Sequence, residues 1–326
     1  MKAEILALLR DSGEYVSGQE LCEKFGVSRT AVWKVINQLK EEGYEIEAVQ
    51  NKGYHLLRTP DVLSESELKS RIHTRWAGQQ LYFFKETGST NMDAKRLAEE
   101  EGAHGLLVVA DRQTAGRGRR GRSWESPSGT SIYMTLALQP SFAPDKASML
   151  TLVMALSVAE AIEEVCGMES GIKWPNDIVV NRKKICGILT EMNMEADYIR
   201  SVVIGVGINV NQESFSQEIA STATSLMLEK GERISRSALI AAVMTQFEQN
   251  YERFEEKEDL SGLKETYEQR LVNRNERVRV LDPKGEYEGI AIGITDTGEL
   301  LVKKNDESVT KVYAGEVSVR GYYGYV

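Results

Sequence analysis

The segment Gly116-Arg117-Gly118-Arg119-Arg120-Gly121-Arg122-Ser123-Trp124 does most to decide the fold of this 326-residue chain. Its first six residues match G-x-G-x-x-G, the fingerprint of a dinucleotide-binding βαβ unit, in which the glycines lead into a helix. Here the residues that follow, up to Gly129, are typical of a loop, and a strand pattern begins at Ser131. We therefore reject a doubly wound dinucleotide-binding fold and expect a loop between two strands.

The same segment predicts a site for an anion. Four arginines and three glycines lie between Gly116 and Arg122, in a chain whose formal net charge is −9. Like charges at this density repel, and glycine makes a backbone costly to order, so we expect a loop that is mobile until an anion fills it. Arginine donates paired hydrogen bonds to phosphate or carboxylate oxygens. A P-loop is excluded, because the sequence contains no G-x-x-x-x-G-K-[ST].

A second informative segment is Ile172-Lys173-Trp174-Pro175-Asn176-Asp177-Ile178-Val179-Val180. Its apolar ends predict two strands joined by a tight turn. Lys173 ends the first strand, where a rigid element can hold its ammonium group in place. Asn176 and Asp177 carry the oxygen ligands that a magnesium–nucleotide complex uses. A hairpin in which these two residues only stabilise the turn remains an alternative.

The composition limits the class of protein. Charged residues at 27% and apolar residues at 41% are ordinary for a soluble globular protein, and the acidic balance restricts contact with nucleic acid to a local surface. Three cysteines without a C-x-x-C pattern, together with three histidines, predict a reduced cytoplasmic protein without structural zinc. Neither a signal peptide nor a membrane span is predicted, so we expect no membrane partner.

The first sixty residues predict a winged helix-turn-helix. Ser17 begins a capping box for one helix, and Ser28 caps a second helix that extends over about 29–42. A glycine turn joins the two helices, and strand patterns on either side of residues 50–53 predict a wing. This order of elements is typical of a DNA-binding domain, although a plain helical bundle is an alternative.

Positive charge is concentrated on the second of these helices. Residues 24–40 contain four basic side chains and no acidic one, as contact with phosphates requires. Apolar side chains define one face of the helix, so the polar side chains on the other face are candidates for contacts with DNA; a solvated face is the alternative. The predicted DNA-binding residues are Ser28, Arg29, Thr30, Lys34, Asn37 and Lys52.

The rest of the chain mixes strands and helices. Over residues 76–268, strands separated mostly by turns predict an α+β mixed sheet with helices on one face, and residues 150–165 predict a long core helix. Short strands from residue 278 onward predict a small β-barrel. We therefore expect three domains, at residues 1–62, 66–268 and 273–326.

Ser89-Thr90-Asn91 lies between a strand pattern and a helix pattern. Thr90 and Asp93 predict a capping box for that helix, whose N-terminal N–H groups also suit an anion. Gln113, just before the arginine-rich loop, can hydrogen-bond a polar ligand. Three strand glycines suggest a close approach of backbone to ligand, with bulges or packing as the alternative: Gly187, Gly205 and Gly207.

Together, these motifs closely resemble the biotin–protein ligases, in the bifunctional form that also represses the biotin operon. The segments that match in order and spacing are Ser89-Thr90-Asn91, Gln113 to Arg119, Lys173 to Asp177 and Gly205 to Asn209. The predicted winged helix-turn-helix and C-terminal strands also match, so the resemblance covers nearly the whole chain. It implies a central domain akin to class II aminoacyl-tRNA synthetases and an SH3-like C-terminal domain.

The resemblance also implies a reaction. Biotin and ATP with Mg²⁺ would form biotinyl-5′-AMP, and biotin would pass to a lysine of biotin carboxyl carrier protein of acetyl-CoA carboxylase. Lys173 and Arg119 would be the catalytic cations, because two anions must meet. The implied biotin-binding residues are Ser89, Thr90, Asn91, Gln113, Gly116, Arg117, Gly118, Arg119, Lys173, Gly187, Gly205 and Gly207. The implied nucleotide-binding residues are Arg119, Arg120, Arg122, Trp124, Asn176 and Asn209, with Asp177 as a metal ligand.

Further partners follow from the resemblance. It implies operator DNA and a homodimer that forms when the ligase is loaded with biotinyl-AMP, so that repression responds to biotin. Two alternatives remain: a lipoate–protein ligase, which shares the fold, and a metabolite-sensing repressor without catalysis. Lys173 and the complete arginine-rich loop argue against loss of catalysis.

Overall fold

The computed structural model describes residues 1–102, 104–195, 198–282, 285–314 and 318–321. The N-terminal part begins with helices α1 (Lys2–Ser12), α2 (Gly18–Phe25) and α3 (Arg29–Glu41), followed by the antiparallel strands β1 (Glu45–Val49) and β2 (Gly53–Arg58). The Ser17 and Ser28 side chains accept hydrogen bonds from the Glu20 and Ala31 backbone N–H groups. Both predicted helix caps and the wing are therefore confirmed.

The N-terminal unit has its own apolar core and a polar attachment to the rest of the chain. Buried side chains from α1, α2, α3 and β1 form one cluster. A short helix, α4 (Glu65–Lys69), follows and carries Glu67, which is fully buried. Its carboxylate accepts hydrogen bonds from Arg10 at 2.8 Å, Tyr44 at 2.7 Å and Ser237 at 2.8 Å. This network joins α1 to the central part of the chain.

A mixed sheet occupies the centre of the molecule. Its strands are β3 (Gln80–Phe84), β4 (Leu106–Ala110), β5 (Ile132–Leu138), β6 (Gly171–Lys173), β7 (Asp177–Val180), β8 (Lys183–Glu195) and β9 (Tyr198–Ile208). In the described part of the chain their order is β3-β4-β5-β9-β8-β7-β6. β3 and β4 are parallel, and the other pairs are antiparallel. The prediction of a mixed sheet is confirmed.

Helices cover both faces of this sheet. They are α5 (Thr90–Glu101), α6 (Leu150–Cys166), α7 (Leu226–Lys230), α8 (Arg236–Glu255) and α9 (Lys264–Arg270). Leu107 and Val109 of β4 belong to the main core with α6 and α8, whereas Leu106 and Val108 pack with α5. The expectation of helices on one face is therefore wrong. β4 is buried along its whole length, and such a continuous apolar run is typical of a strand covered on both faces.

A separate antiparallel sheet forms the C-terminal part. Within the described residues, β10 (Arg277–Leu281), β11 (Tyr287–Ile294), β12 (Leu300–Lys303), β13 (Val309–Val312) and β14 (Ser318–Gly321) lie in the order β13-β12-β11-β10-β14. Its buried side chains, including Val278 and Val280, belong to the same apolar cluster as the central sheet. Because the two parts share a core, the three domain boundaries stay predictions, as does the SH3-like barrel.

Two further observations concern the described residues as a whole. Cys22, Cys166 and Cys186 are free thiols. Within the described ranges, no helix is both long and apolar enough to cross a membrane.

Candidate active site

The arginine-rich loop folds back on itself as a small hairpin. The Gly118 N–H donates to the Arg122 carbonyl at 2.7 Å, and the Trp124 N–H donates to the Gly116 carbonyl at 2.9 Å. Gly116 permits this approach, because a Cβ there would lie 2.6 Å from the Trp124 carbonyl oxygen. Arg120 has a φ of 59° in the turn. The hairpin directs Trp124 onto the central sheet.

Two strand glycines form the surface under the Trp124 ring. A Cβ at Gly207 would lie 2.6 Å from a ring carbon of Trp124, and one at Gly187 would lie 2.9 Å away. The indole N–H is buried and has no hydrogen-bond partner among the residues that the structure describes, and Lys184 Nζ lies 5.4 Å from the ring centroid. At these two glycines the structure shows packing against the Trp124 indole, and the predicted approach of a ligand stays a prediction. Gly205 instead leaves room for the Asn91 side chain.

Two cavities meet at this hairpin. The first, which we call the α5 cavity, lies at the N-terminus of α5 against β5, β8 and β9. It is lined by all but two of the predicted biotin-binding residues, namely Ser89, Thr90, Asn91, Gln113, Arg117, Gly118, Arg119, Gly187, Gly205 and Gly207. Gly116 and Lys173 do not line it. Its wall is completed by Trp124, Met134, Asn176, Lys184, Ile188, Leu189 and Val206.

A fixed polar network forms one wall of the α5 cavity. Gln113 Oε1 accepts from the Thr90 N–H at 2.9 Å and from the Thr90 hydroxyl at 3.1 Å, while Gln113 Nε2 donates to the Ser126 hydroxyl at 3.1 Å. The Ser89 hydroxyl makes no capping hydrogen bond, although Ser89 is the N-cap of α5. The predicted capping box of Thr90 and Asp93 is wrong, because Thr90 is engaged by Gln113 and Asp93 accepts from Thr87.

The second cavity, the arginine-loop cavity, has a volume of about 290 Å³. It is lined by every predicted nucleotide-binding residue and by Asp177, that is, by Arg119, Arg120, Arg122, Trp124, Asn176, Asp177 and Asn209. The segment after β9 forms its opposite wall and contributes Gln212, Phe215, Glu218 and Ile219. Residues of the arginine-rich loop and of the Asn176–Asp177 turn, which are distant in the sequence, thus line the same cavity.

The two lysines near this space have different positions. Lys184 lines both cavities, and its Nζ lies 2.5 Å from Asp177 Oδ1. Lys173 is only 5% exposed and lines neither cavity. Burial lowers the pKa of Lys173 to about 8; Asp177 opposes this shift, and nearby Lys184 adds to it.

Arg119 lies where the cavities join. Its guanidinium donates to Asn176 Oδ1 at 2.7 Å and to the Ala314 carbonyl at 2.5 Å. Burial lowers the pKa of Arg119, while Asp177 opposes that shift. Arg119 and Asn176 line the α5 cavity, the arginine-loop cavity and a third space of about 270 Å³, the side groove, which extends to Met192. The α5 cavity, the arginine-loop cavity and the side groove are therefore all bordered by the hydrogen-bonded pair Arg119 and Asn176.

Sequence patterns alone did not identify three of these residues. Lys184 begins an ordinary strand beside another lysine, so nothing in the local pattern distinguishes it. Phe215 and Ile219 lie in an irregular segment without a motif; their one signal is that large apolar side chains stand in a polar loop. The described residues contain no group of three or more His, Cys, Asp or Glu that could hold a metal ion.

The predicted DNA-binding residues are arranged on α3 and the wing. Arg29, Thr30 and Lys34 are exposed and Asn37 is half-buried, while Val32, Val35, Ile36 and Leu39 are buried on the opposite face. The Ser28 hydroxyl caps the helix. Lys52 lies in the turn between β1 and β2, with its Nζ 5.5 Å from the Tyr15 ring centroid. Trp33, which is 56% exposed, adds an aromatic side chain to this helix that was not among the predicted DNA-binding residues.

The fold and the site define a class of protein, and family comparisons agree. The biotin/lipoate A/B protein ligase family matches residues 82–209, an HTH domain matches residues 2–55, and the biotin protein ligase C-terminal domain matches residues 275–320. The chain therefore combines a ligase of this class with a helix-turn-helix domain.

Comparison with individual proteins identifies the family within this class. The Bifunctional ligase/repressor BirA of Bacillus subtilis (strain 168) is 41% identical over 322 residues, 98% of each chain. The protein of the same description from Escherichia coli (strain K12) is 30% identical over 97% of this chain and 96% of its own. The structure described as biotin protein ligase from Aquifex aeolicus in complex with biotin and ATP is 32% identical, with a TM-score of 0.65, and covers 74% of this chain and 99% of its own. The chain belongs to the BirA family of bifunctional ligase/repressors.

Proposed function

We propose that this protein is an ATP-dependent ligase that forms biotinyl-5′-AMP and transfers biotin to a lysine of biotin carboxyl carrier protein, and that it also represses transcription in response to biotin. The observation that carries the ligase proposal is the junction at Arg119 and Asn176, which borders three separate spaces. A reaction that first couples an acid to a nucleotide and then passes the acyl group to an amine brings three reactants to one point, and three openings suit it. The names of two relatives and of the Aquifex aeolicus structure favour biotin over lipoate as the acid.

In the first step, a biotin carboxylate oxygen attacks the α-phosphorus of ATP, the bond to the β-phosphate oxygen breaks, and pyrophosphate leaves. Biotin occupies the α5 cavity, where Ser89, Thr90 and Gln113 contact its polar head. The carboxylate and the phosphate are both anionic, so positive charge held in place lowers the barrier. Lys184 and Arg119 border both cavities and supply this charge directly. Lys173 adds charge from beneath, beside Asp177.

The nucleotide occupies the arginine-loop cavity. Trp124 and Phe215 offer aromatic surfaces to adenine, and Arg120 and Arg122 reach the phosphates. Mg²⁺ enters as part of the MgATP substrate, because this ion usually keeps its waters and takes few protein ligands. Asp177 is one of the carboxylates that line this cavity, and it would be available to the ion once Lys184 turns to the substrate.

In the second step, the lysine ε-amine attacks the acyl carbon, the bond to the AMP oxygen breaks, and AMP leaves. The proposal is tested by incubating the protein with biotin, ATP and apo carrier domain, and measuring carrier mass. The carrier should gain one biotinyl group only when ATP is present. A carrier with arginine in place of its target lysine is the control. An unmodified carrier contradicts the proposal.

The repressor function uses the N-terminal unit. A single winged helix with few basic residues binds DNA weakly, so two copies on two half-sites are needed for useful affinity. We therefore propose a homodimer that forms when biotinyl-AMP orders the arginine-rich loop. Sedimentation equilibrium should show tighter dimerisation with biotin plus ATP than without ligand, and footprinting should show tighter operator binding in parallel. An unchanged monomer–dimer constant contradicts ligand-driven dimerisation.

A further inference from the structure

A buried polar network lies next to the wall of the α5 cavity. Thr90 and Asn91 begin α5 and line the cavity, whereas Thr135 of β5 is fully buried and does not line it. The Thr135 hydroxyl lies 2.7 Å from Asn91 Oδ1 and 2.8 Å from the Thr90 hydroxyl. Gly205 makes this arrangement possible, because a Cβ there would lie 2.1 Å from Asn91 Oδ1. The contacts of Thr90 with the rest of the protein therefore depend on Thr135.

The carboxylate of Glu191 on β8 determines the orientation of the Asn91 amide. Asn91 Nδ2 donates to Glu191 Oε2 at 2.7 Å, and Lys95 Nζ lies 2.8 Å from Glu191 Oε1. An ionised carboxylate, here paired with a lysine, can only accept hydrogen bonds. The amide therefore turns its nitrogen to Glu191 and its oxygen to Thr135. Because an amide oxygen is also only an acceptor, the Thr135 hydroxyl must donate its proton to Asn91.

The Thr90 hydroxyl has one proton and, among the described residues, two oxygen partners. The Thr135 oxygen can only accept from it, since the Thr135 proton is already used on Asn91. Gln113 Oε1, at 3.1 Å, is likewise only an acceptor, and Gln113 Nε2 donates to Ser126. Whichever oxygen takes the proton, the Thr90 oxygen can offer a ligand in the cavity only its lone pairs.

We propose that Glu191 and Thr135 are positioning residues that make Thr90 an obligate hydrogen-bond acceptor, so that the α5 cavity selects an acid whose head group carries an N–H. This inference rests on the proposed ligase function and adds the physical basis for its choice of acid. The bicyclic urea of biotin carries two N–H groups, whereas the dithiolane ring of lipoate carries none. A buried acceptor that is left without a donor costs free energy, and the network therefore disfavours lipoate.

The first test changes the ligand. Two cyclic carbamate analogues of biotin, each with one ring N–H replaced by oxygen, lose one donor with little change in size. In ATP–pyrophosphate exchange by the full-length wild type, at least one analogue should have a KM about tenfold or more above that of biotin. This penalty should shrink in Thr135→Val, where Thr90 no longer faces a second oxygen at 2.8 Å and can turn its proton to the ring oxygen of the analogue.

The second test changes the network. Thr135→Val keeps the shape of the side chain and removes its hydroxyl, so KM for biotin should rise by about tenfold while kcat and KM for ATP stay near the wild-type values. Thr135→Ser keeps the hydroxyl and should behave as the wild type. Glu191→Gln should raise KM for biotin by a smaller factor, because a glutamine can either accept from Asn91 or donate to it. Glu195→Gln, at an exposed position on the same strand, is the control and should change neither KM.

Several results would overturn the positioning roles. They are wrong if both carbamates match biotin in the wild type, or if the carbamate penalty is the same in Thr135→Val. They are also wrong if Thr135→Ser is as impaired as Thr135→Val, or if KM for ATP rises as much as KM for biotin. Absence of biotin-dependent exchange in the wild type would instead overturn the ligase function itself.

Discussion

Lys184 Nζ lies 2.5 Å from Asp177 Oδ1, on the wall shared by the α5 cavity and the arginine-loop cavity. The pair holds a cation where a carboxylate and an α-phosphate would meet. Of the two lysines, Lys184 is therefore the one that borders both proposed substrate cavities, whereas Lys173 is buried and lines neither.

Replacing Lys184 should damage the first step. In Lys184→Gln we expect kcat/KM for biotin-dependent ATP–pyrophosphate exchange to fall by about 10²-fold or more, since a preorganised charge is removed from the transition state. Lys183→Gln is the matched control, because Lys183 is the exposed neighbour on the same strand. Equal rates in the two variants would contradict the role of Lys184.

The pH dependence should report Lys173. Burial lowers its pKa to about 8, so the ammonium is present below that pH and lost above it. We expect kcat/KM for the exchange reaction to fall as the pH rises through about 8, because this parameter reports the free enzyme. In Lys173→Arg the fall should move to higher pH, since arginine remains charged. If kcat/KM falls over the same alkaline range in the wild type and in Lys173→Arg, the charge of Lys173 is not used in the reaction.

A methyl group at Gly207 should displace Trp124. The added Cβ would lie 2.6 Å from the indole ring, so the hairpin must shift and the arginine-loop cavity must change shape. Gly207→Ala should weaken the binding of biotinyl-AMP, and the loss should be smaller in a Trp124→Ala background, where no ring is present. Gly262→Ala, whose Cβ meets its nearest atom at 3.7 Å, should have no effect. If Gly207→Ala weakens biotinyl-AMP binding equally in the wild type and in the Trp124→Ala background, Trp124 is not the group that the added methyl displaces.

The buried carboxylate of Glu67 should stabilise the attachment of the N-terminal unit. Burial raises its pKa, but Arg10 and Arg71 outweigh this and leave the pKa below its usual range. Its contribution is therefore present above the ordinary carboxyl pKa and is lost as the pH falls through the lowered value. Glu67→Gln should lower the free energy of unfolding by about 3–5 kcal/mol at neutral pH, because Arg10 loses its buried partner.

Urea unfolding at neutral and acid pH measures this effect. Glu65→Gln, at an exposed position on the same helix, is the control and should be nearly neutral. The difference between wild type and Glu67→Gln should shrink at acid pH. A constant difference would show that the charge of Glu67 is not what stabilises the fold.

Sequence patterns were most informative where a motif is local. The caps of α2 and α3 and the polar face of α3 follow from residues a few positions apart, and the structure has them as predicted. The arginine-rich loop and the Asn176 turn were predicted to serve one ligand, and both line the arginine-loop cavity. The prediction of a shared ligand came from the charges and hydrogen-bonding groups of the two segments, which suit the same anion. Hydrophobic periodicity alone would not have indicated it.

The remaining features depend on tertiary contacts. The capping role of Thr90 was predicted wrongly because its partner, Gln113, is distant in the sequence. Arg236 is 2% exposed and pairs with Asp61 and Asp111, an interaction that no local pattern contains. The position of Lys184 became clear only when β8 was placed between β7 and β9.

We propose that the α5 and arginine-loop cavities together activate biotin with ATP. Exchange of labelled pyrophosphate into ATP, measured with biotin, with lipoate and without acid, tests this activation without any carrier domain. Label should enter ATP with biotin and stay at background with lipoate or without acid. Background exchange with biotin, or exchange supported by lipoate instead, would contradict it.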